Sequence, residues 1–161
     1  MNVRDVRPDD WPAVRAIYED GIRGGDATFE TEAPSWEAWD AAHPELRLVG
    51  ELDDRVVGWA ALSPASPRHC YRGVGEVSVY VAQEARRTGL GRALLERLVD
   101  RSEQAGYWTL TAGVFPDNEA SLRLHEACGF REVGVRERIG ESRGGWRDVI
   151  LLERRSVLVG T

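Results

Sequence analysis

Residues 86–95 read RRTGLGRALL and join an apolar, strand-like run to a helical pattern. The preceding run, GEVSVYVA at 75–82, alternates valine with other residues, as a half-buried strand does. The segment 89–105 has leucines at helical spacing and ends at Gly106, a residue type that commonly follows a helix. Glycines and arginines therefore meet where helix N–H groups and the positive end of the helix dipole point outward, which favours a bound anion.

The fold class follows from the elements around this junction. A strand at 108–114 comes after the helix and predicts a βαβ crossover, and helices alternating with strands indicate an α/β or α+β fold. The other patterns predict, in chain order, a short strand at 2–6, a helix from Asp9 or Asp10 that is broken by Gly21, Gly24 and Gly25, a short helix capped by Ser35, a hairpin of strands 46–52 and 56–63, a helix from Asn118 to Gly129, and strands at 130–138 and 146–154.

Composition narrows the function classes. The chain has 161 residues, a formal net charge of −6, 42% hydrophobic and 30% charged residues, which is typical of a soluble globular protein. The acidic balance disfavours nucleic acid as a partner, and no apolar segment has the length of a membrane span. Cys70 and Cys128 lie in no metal-binding pattern, so we expect no metal. The N-terminal residues have no apolar secretory segment, and we expect a cytoplasmic protein with reduced thiols.

Two common phosphate-binding motifs do not fit the junction. A P-loop requires a Lys-Ser/Thr pair after its second glycine, and none follows here. A dinucleotide fingerprint requires a third glycine, but position 94 is leucine. A tight turn without a ligand stays open as an alternative on this motif alone.

Two motifs together resemble the GNAT superfamily of acetyltransferases. The first is Arg86-x-x-Gly89-x-Gly91 after a strand, and the second is the helix that starts at Asn118 and ends before Gly129-Phe130. The resemblance implies acetyl-CoA as cosubstrate, with loop amides on its pyrophosphate. The residues it implies for acetyl-CoA binding are Val79, Tyr80, Val81, Arg86, Arg87, Thr88, Gly89, Gly91, Arg92, Asn118 and Ser121. The alternative for Asn118 is a helix N-cap, and for Ser121 a surface position.

Four further stretches narrow the resemblance to the phosphinothricin N-acetyltransferase group. They are ATFE at 27–30, YRGVGEVSVYV at 71–81, NEASLRLHEACGF at 118–130 and GGWRDV at 144–149. The resemblance implies a GNAT-like acyl-CoA N-acyltransferase fold over residues 1–161 as a single domain, with a central mixed, mostly antiparallel sheet flanked by about four helices. It also implies a small-molecule amine as acceptor, of the phosphinothricin or methionine sulfoximine type, and a homodimer.

Glu76 is the candidate general base, because it lies on the polar face of its strand and the resembled enzymes keep a glutamate there. A carboxylate is a weaker base than an amine, so it would act through water or after burial. The alternative is a salt bridge with Arg72 or Arg123. The same resemblance implies that the strand splays from its neighbour and offers a free amide near Val79 or Tyr80 to the oxyanion.

His125 is the candidate general acid. It lies one helical turn after Ser121, on the same helix face. A histidine with a pKa of about 6.5 could protonate a leaving thiolate, since a thiol has a pKa of about 8.5. A packing histidine with a satisfied ring nitrogen is an equal alternative.

Candidate acceptor contacts are Phe29, Glu30, Arg72 and Arg147. An aromatic wall, an acid for an ammonium group and an arginine for a carboxylate would suit an amino acid. Arg147 departs from the resembled group, which typically has a histidine there; arginine cannot act as a base, but it could bind a carboxylate or pair with Asp148, Glu153 or another acid. Other acceptors, namely a polyamine, an aminoglycoside or a peptide N-terminus, remain alternatives, as does a non-catalytic acyl-CoA-binding module.

Overall fold

A single seven-stranded sheet organises the chain, whose computed structural model describes residues 1–161. The elements are β1 Asn2–Asp5, α1 Trp11–Gly24, α2 Trp36–Ala42, β2 Arg47–Leu52, β3 Arg55–Pro64, β4 Val74–Val81, α3 Leu90–Gln104, β5 Thr109–Val114, α4 Glu119–Ala127, β6 Arg131–Ser142 and β7 Gly145–Arg155. The strand order is β1-β2-β3-β4-β5-β7-β6, and only β4 and β5 pair in parallel. The mixed, mostly antiparallel sheet with four helices confirms the predicted fold class.

Helices cover both faces of the sheet. On one face, Leu90 and Leu94 of α3 are fully buried against Gly50 and Gly58, where a Cβ atom would lie 2.6 Å and 3.0 Å from the leucine side chains. On the other face, Trp59 stacks on Tyr80 with ring centroids 4.7 Å apart, below α1 and α2. A side chain at Gly50 or Gly58 would overlap these leucines, so the two glycines allow α3 to pack closely on the sheet, as a protein interior with few voids requires.

Helix α1 continues through Gly21, which the sequence pattern had predicted to break it. The helix ends at Gly24, and Gly25 adopts a left-handed conformation with φ +78°. A Cβ atom at Gly21 would lie 2.8 Å from Cε1 of Tyr80. This glycine therefore serves close packing between α1 and β4, a tertiary requirement that the helical pattern does not reveal.

The parallel pair β4–β5 separates after three residue positions. Val74, Gly75 and Glu76 pair with residues 109–111, whereas β4 stays paired with β3 as far as Val81. Beyond Glu76 the two strands diverge and leave a cleft in the middle of the sheet. This is the splay that the resemblance implied.

Strands β6 and β7 form a long hairpin at the edge of the sheet. β6 runs four residues beyond its predicted end at residue 138, and its register shifts between Arg136 and Gly140. The tight turn at residues 143–144 lets the strands stay paired to Ser142 and Gly145. None of the helices combines the length and the apolar character needed to cross a membrane.

Candidate active site

The edge of β4 that faces the cleft carries main-chain amides without a ladder partner. The amide of Ala82 donates to the carbonyl of Val57 at 2.8 Å, and this bond determines which residues of β4 direct their amides towards β3. Alternate residues of such a ladder point the same way. Tyr80 therefore directs its amide to β3, while Val79 and Val81 direct theirs into the cleft. The prediction that the Tyr80 amide is free for the oxyanion is therefore wrong, because that amide points to β3. The amide of Val79 stays a candidate donor.

The loop before α3 presents a second set of free amides. Gly89 has φ +86° and Arg87 φ +64°, so the chain turns sharply into the helix. The hydroxyl of Thr88 donates to the carbonyl of Ala85 at 2.6 Å and holds the turn. No acceptor within the chain receives the amides of Arg87, Thr88, Gly89, Gly91 and Arg92. Five amides at the positive end of a helix dipole fit a pyrophosphate group.

The arginines of the loop differ in their pairing. Arg86 and Arg87 are exposed and form no ion pair, whereas Nε of Arg92 lies 2.7 Å from Oε1 of Glu96 one turn along α3. Arg86 and Arg87 are therefore the two loop cations whose charge no neighbouring carboxylate neutralises.

Asn118 and Ser121 open the second predicted cofactor segment. Oδ1 of Asn118 accepts from the amide of Ser121 at 3.2 Å, as an N-cap does, and Nδ2 donates to the carbonyl of Asp26 at 3.1 Å. Both ends of the Asn118 amide group are thus occupied within the protein. The hydroxyl of Ser121 lies 3.4 Å from Nδ1 of His125, and both residues line a cavity.

That cavity, of about 670 Å³, occupies the cleft between β4 and β5. Glu76 lines it, is exposed to it and forms no ion pair. The two arginines considered as its partners are elsewhere: Arg123 pairs with Glu119, and Arg72 lies over Trp108. Because the Glu76 carboxylate is exposed, water has access to it.

His125 is buried, with 4% of its surface exposed. Its Nδ1 lies 2.7 Å from the carbonyl oxygen of Ser121, so this nitrogen carries a proton and donates it. Burial lowers the pKa of His125, which favours the neutral ring with an acceptor at Nε2. The predicted general-acid role therefore requires that Nε2 first accept a proton.

The predicted acceptor contacts separate into two groups. Phe29 and Glu30 line the cavity, and the Phe29 ring meets Phe115 edge-on at 4.9 Å between centroids. Arg72 does not reach it: its guanidinium lies 5.3 Å from the Trp108 ring centroid and donates to a main-chain carbonyl. The expectation that Arg72 contacts the acceptor is therefore corrected, because packing on Trp108 turns the side chain away.

Arg147 also lies outside the cavity lining. Its guanidinium donates to the carbonyl of Gly25 at 2.5 Å and to the carboxylate of Asp117 at 3.0 Å, and lies 3.6 Å from the centroid of Phe115. Of the alternatives considered, pairing with another acid is the one that the structure shows. Because Nη1 and Nη2 are both engaged within the protein and the side chain lies outside the cavity lining, the structure does not support a contact between Arg147 and a substrate carboxylate.

Arg136 is the cavity residue that the sequence pattern missed. Its backbone pairs with Val149 of β7, and its side chain lines the cavity and forms no ion pair or hydrogen bond within the chain. The strand 130–138 contains three arginines, and no motif distinguishes them. Only the pairing of β6 with β7, and the position of that hairpin beside β5, shows which one faces the cleft.

The comparisons with known proteins agree with this geometry. The Acetyltransferase (GNAT) family matches residues 10–130 of the chain. The chain belongs to this family. It is 40% identical to a phosphinothricin N-acetyltransferase of Alcaligenes faecalis over 94% of the chain and 81% of that protein. It is 30% identical to an L-methionine sulfoximine/L-methionine sulfone acetyltransferase of Pseudomonas aeruginosa, over 94% of the chain and 92% of that protein.

A solved structure extends the comparison to a bound ligand. The GNAT-superfamily phosphinothricin acetyltransferase of Sinorhizobium meliloti, described in complex with AcCoA, superposes with a TM-score of 0.87. The sequences are 31% identical, and the match covers 96% of this chain and 87% of that one. The resemblance inferred from the two motifs and four stretches is thus confirmed. The chain is an N-acetyltransferase that resembles the phosphinothricin group.

Proposed function

We propose that this GNAT enzyme transfers acetyl from acetyl-CoA to the amino group of a small amino-acid-like acceptor of the phosphinothricin or methionine sulfoximine type. The observation that carries the proposal is the single cavity in the β4–β5 cleft. It joins the open amide edge of β4 to two unpaired carboxylates, Glu30 and Glu76, and to the unpaired Arg136.

The main chain supplies the groups that would hold acetyl-CoA. The free amides of residues 87–89, 91 and 92 would donate to the pyrophosphate, and Arg86 and Arg87 add positive charge. When bound, acetyl-CoA supplies an acetyl group activated as a thioester. The amide of Val79 would donate to the acetyl oxygen, where negative charge develops during transfer.

Side chains supply the groups that would hold the acceptor. The carboxylates of Glu30 and Glu76 suit an ammonium group, and the guanidinium of Arg136 suits an acidic group. Phe29 provides an apolar wall. One cation and two anions in one cavity favour a zwitterionic acceptor over a polyamine, since Arg136 would repel a second ammonium group.

Two proton transfers would complete the reaction. The acceptor must lose a proton before its amine can attack, and Glu76 would take it through a water molecule because the carboxylate is exposed. His125 would take up a proton from water at Nε2 and transfer it to the thiolate that leaves when the C–S bond breaks, which gives the free CoA thiol. Its donation from Nδ1 to Ser121 keeps Nε2 as the nitrogen that accepts.

The test is a screen of acceptors monitored by release of free CoA thiol. We expect turnover with phosphinothricin or methionine sulfoximine, and at least about tenfold lower kcat/KM with the corresponding amine that lacks the carboxylate. Turnover only with polyamines, aminoglycosides or peptide N-termini would overturn the acceptor class. Binding of acetyl-CoA without turnover of any amine would instead favour an acyl-CoA-binding module.

We also propose that the protein is a cytoplasmic homodimer. The outer strands support pairing, because Val135, Ile139 and Trp146 are each more than half exposed on the β6–β7 hairpin. Light scattering should give twice the chain mass, and a monomer at micromolar concentration would contradict the proposal.

A further inference from the structure

Loop 25–30, which brings Phe29 and Glu30 to the cavity, contains no helix or strand. It follows the left-handed Gly25 at the end of α1, and only Thr28 and Phe29 among its last five residues are partly buried. The loop has one side-chain hydrogen bond of its own, from the amide of Glu30 to Oγ1 of Thr28 at 3.1 Å, and no helix or strand ladder holds it. Its position must therefore come from neighbouring elements.

Arg147 contacts the loop at two residues, Gly25 and Asp26. From β7 it donates through one guanidinium nitrogen to the Gly25 carbonyl at 2.5 Å, and through another to Asp117 in the β5–α4 turn at 3.0 and 3.3 Å. The same nitrogen lies 3.6 Å from the carboxylate of Asp26. A planar fork with several donors can join three segments in this way, which a single-point cation such as lysine cannot.

Two further contacts continue the same connection. The guanidinium of Arg147 covers one side of the Phe115 ring, and Phe115 meets Phe29 edge-on. Asn118, the N-cap of α4, donates to the carbonyl of Asp26. The loop that carries the acceptor contacts is therefore attached to the turn that starts α4.

We propose that Arg147 is a positioning residue: it holds loop 25–30 against the β5–α4 turn and thereby sets the affinity for the acceptor amine. The inference rests on the proposed function, because it takes this loop as the acceptor side of the cavity. It assigns Arg147 no contact with substrate, in contrast to the carboxylate binding considered from the sequence. The acceptor affinity should thus depend on a residue outside the cavity.

The test uses Arg147→Gln, with Arg147→Lys as the conservative variant. Without Arg147, part of the binding free energy of the acceptor would be used to order the loop. We therefore expect the acceptor KM of Arg147→Gln to rise about tenfold, with kcat within about twofold. Affinity for CoA should stay within about twofold, since Asn118 still caps α4 through Ser121. Arg147→Lys should recover part of the loss, because lysine keeps the charge near Asp117 but not the fork.

The matched control is Arg131→Gln. Arg131 lies on the same hairpin and pairs with Glu153 at 3.1 Å, but it contacts neither the loop nor the turn. Loss of this surface ion pair should leave the acceptor KM unchanged. An equal rise in KM in both variants would overturn the proposal, since the effect would then belong to the hairpin in general.

A second readout does not depend on activity. Glu30 and Glu32 are cleavage sites for a glutamate-specific protease, and new ends after them are identified by mass spectrometry. We expect faster cleavage there in Arg147→Gln, with a thermal midpoint close to that of the wild type. Unchanged cleavage and unchanged KM would overturn the proposal, as would a uniform loss of stability with cleavage throughout the chain.

The two proposals fail in different ways. If the wild type releases no CoA thiol with any amine, the proposed function is wrong, and the protease experiment still measures whether Arg147 holds the loop. If Arg147→Gln does not fold, Asp117→Asn removes the carboxylate at the other end of the pair and allows both measurements. Asp117→Asn without a change in either measurement would overturn the proposal.

Discussion

The two sides of the cavity are built in different ways. The cofactor side consists of the loop 86–92, the start of α3 and the open edge of β4, and its main contribution is main-chain amides. The acceptor side consists of loop 25–30, Glu76 and the β6–β7 hairpin, and its contribution is side chains. One side is continuous in sequence over residues 74–104, whereas the other brings together segments more than 100 residues apart.

This difference determines what substitutions should do. An amide is present in every residue except proline, so the cofactor side depends on backbone conformation and is sensitive at glycine. Carboxylates and guanidinium groups are specific to their residues, so the acceptor side can change its substrate by single substitutions without a change of fold. We therefore expect changes on the two sides to separate CoA affinity from acceptor turnover.

Replacement of the base should have the largest effect. Glu76→Gln keeps the size of the side chain and removes its proton acceptor, and we expect kcat to fall by about a hundredfold or more, with little change in CoA affinity. The matched control is Glu30→Gln, which removes the other cavity carboxylate and should raise the acceptor KM while kcat stays close to the wild type. An unchanged kcat in Glu76→Gln would exclude Glu76 as the base.

Gly89→Val should affect the cofactor side alone. Valine at φ +86° is strained by about 1–2 kcal/mol, so the loop should relax and displace its amides. We expect CoA affinity to weaken at least about tenfold by isothermal titration calorimetry. Gly106→Val is the control, since Gly106 has φ +92° and open space at the other end of the same helix. Equal CoA affinity in the two variants would mean that the loop does not bind the cofactor.

Arg136→Gln should affect the acceptor side alone. Loss of one charged donor should raise the KM of carboxylate-bearing acceptors by about tenfold and should not raise the KM of amines that lack a carboxylate or weaken CoA affinity. Steady-state kinetics with an amino-acid acceptor and its decarboxylated amine measure the difference. An equal change for both amines would contradict the assignment of Arg136 to the acidic group.

The last expected effect concerns stability below neutral pH, not kinetics or CoA binding. Burial lowers the pKa of His125, and likewise of His43, which lies against Trp39 and Trp59. The unfolded rings have a pKa of about 6.5, so the unfolded state binds more protons below that pH. The free energy of unfolding should fall between pH 7 and pH 5, by at most about 1.4 kcal/mol per pH unit for each ring.

Urea titrations at both pH values measure this dependence. His125→Gln should show a weaker dependence than the wild type, whatever its stability at pH 7. His69→Gln, at an exposed position, is the control and should keep the wild-type dependence. Equal dependence in all three proteins would show that the burial of His125 does not govern this range.

The sequence predicted the cofactor side better than the acceptor side. The alternation of strand 75–82, the leucine spacing of the following helix and the glycines between them are local patterns, and the structure forms the same strand, loop and helix. Ser35 caps its helix as predicted, accepting from the amide of Ala38 at 3.2 Å. Arg72 was misplaced and Arg136 was missed, because neither position is fixed by a neighbour in sequence.

What the sequence by itself determined was the alternation of elements, the anion-binding loop and the resemblance to one enzyme group, since short-range periodicity and backbone requirements are written in consecutive residues. The tertiary structure alone decided which β4 amides are free, which arginine faces the cavity and that Arg147 holds a loop. Those properties depend on where β4 separates from β5 and on how the final hairpin lies beside the end of α1. Residues far apart in the chain meet only after the sheet has formed.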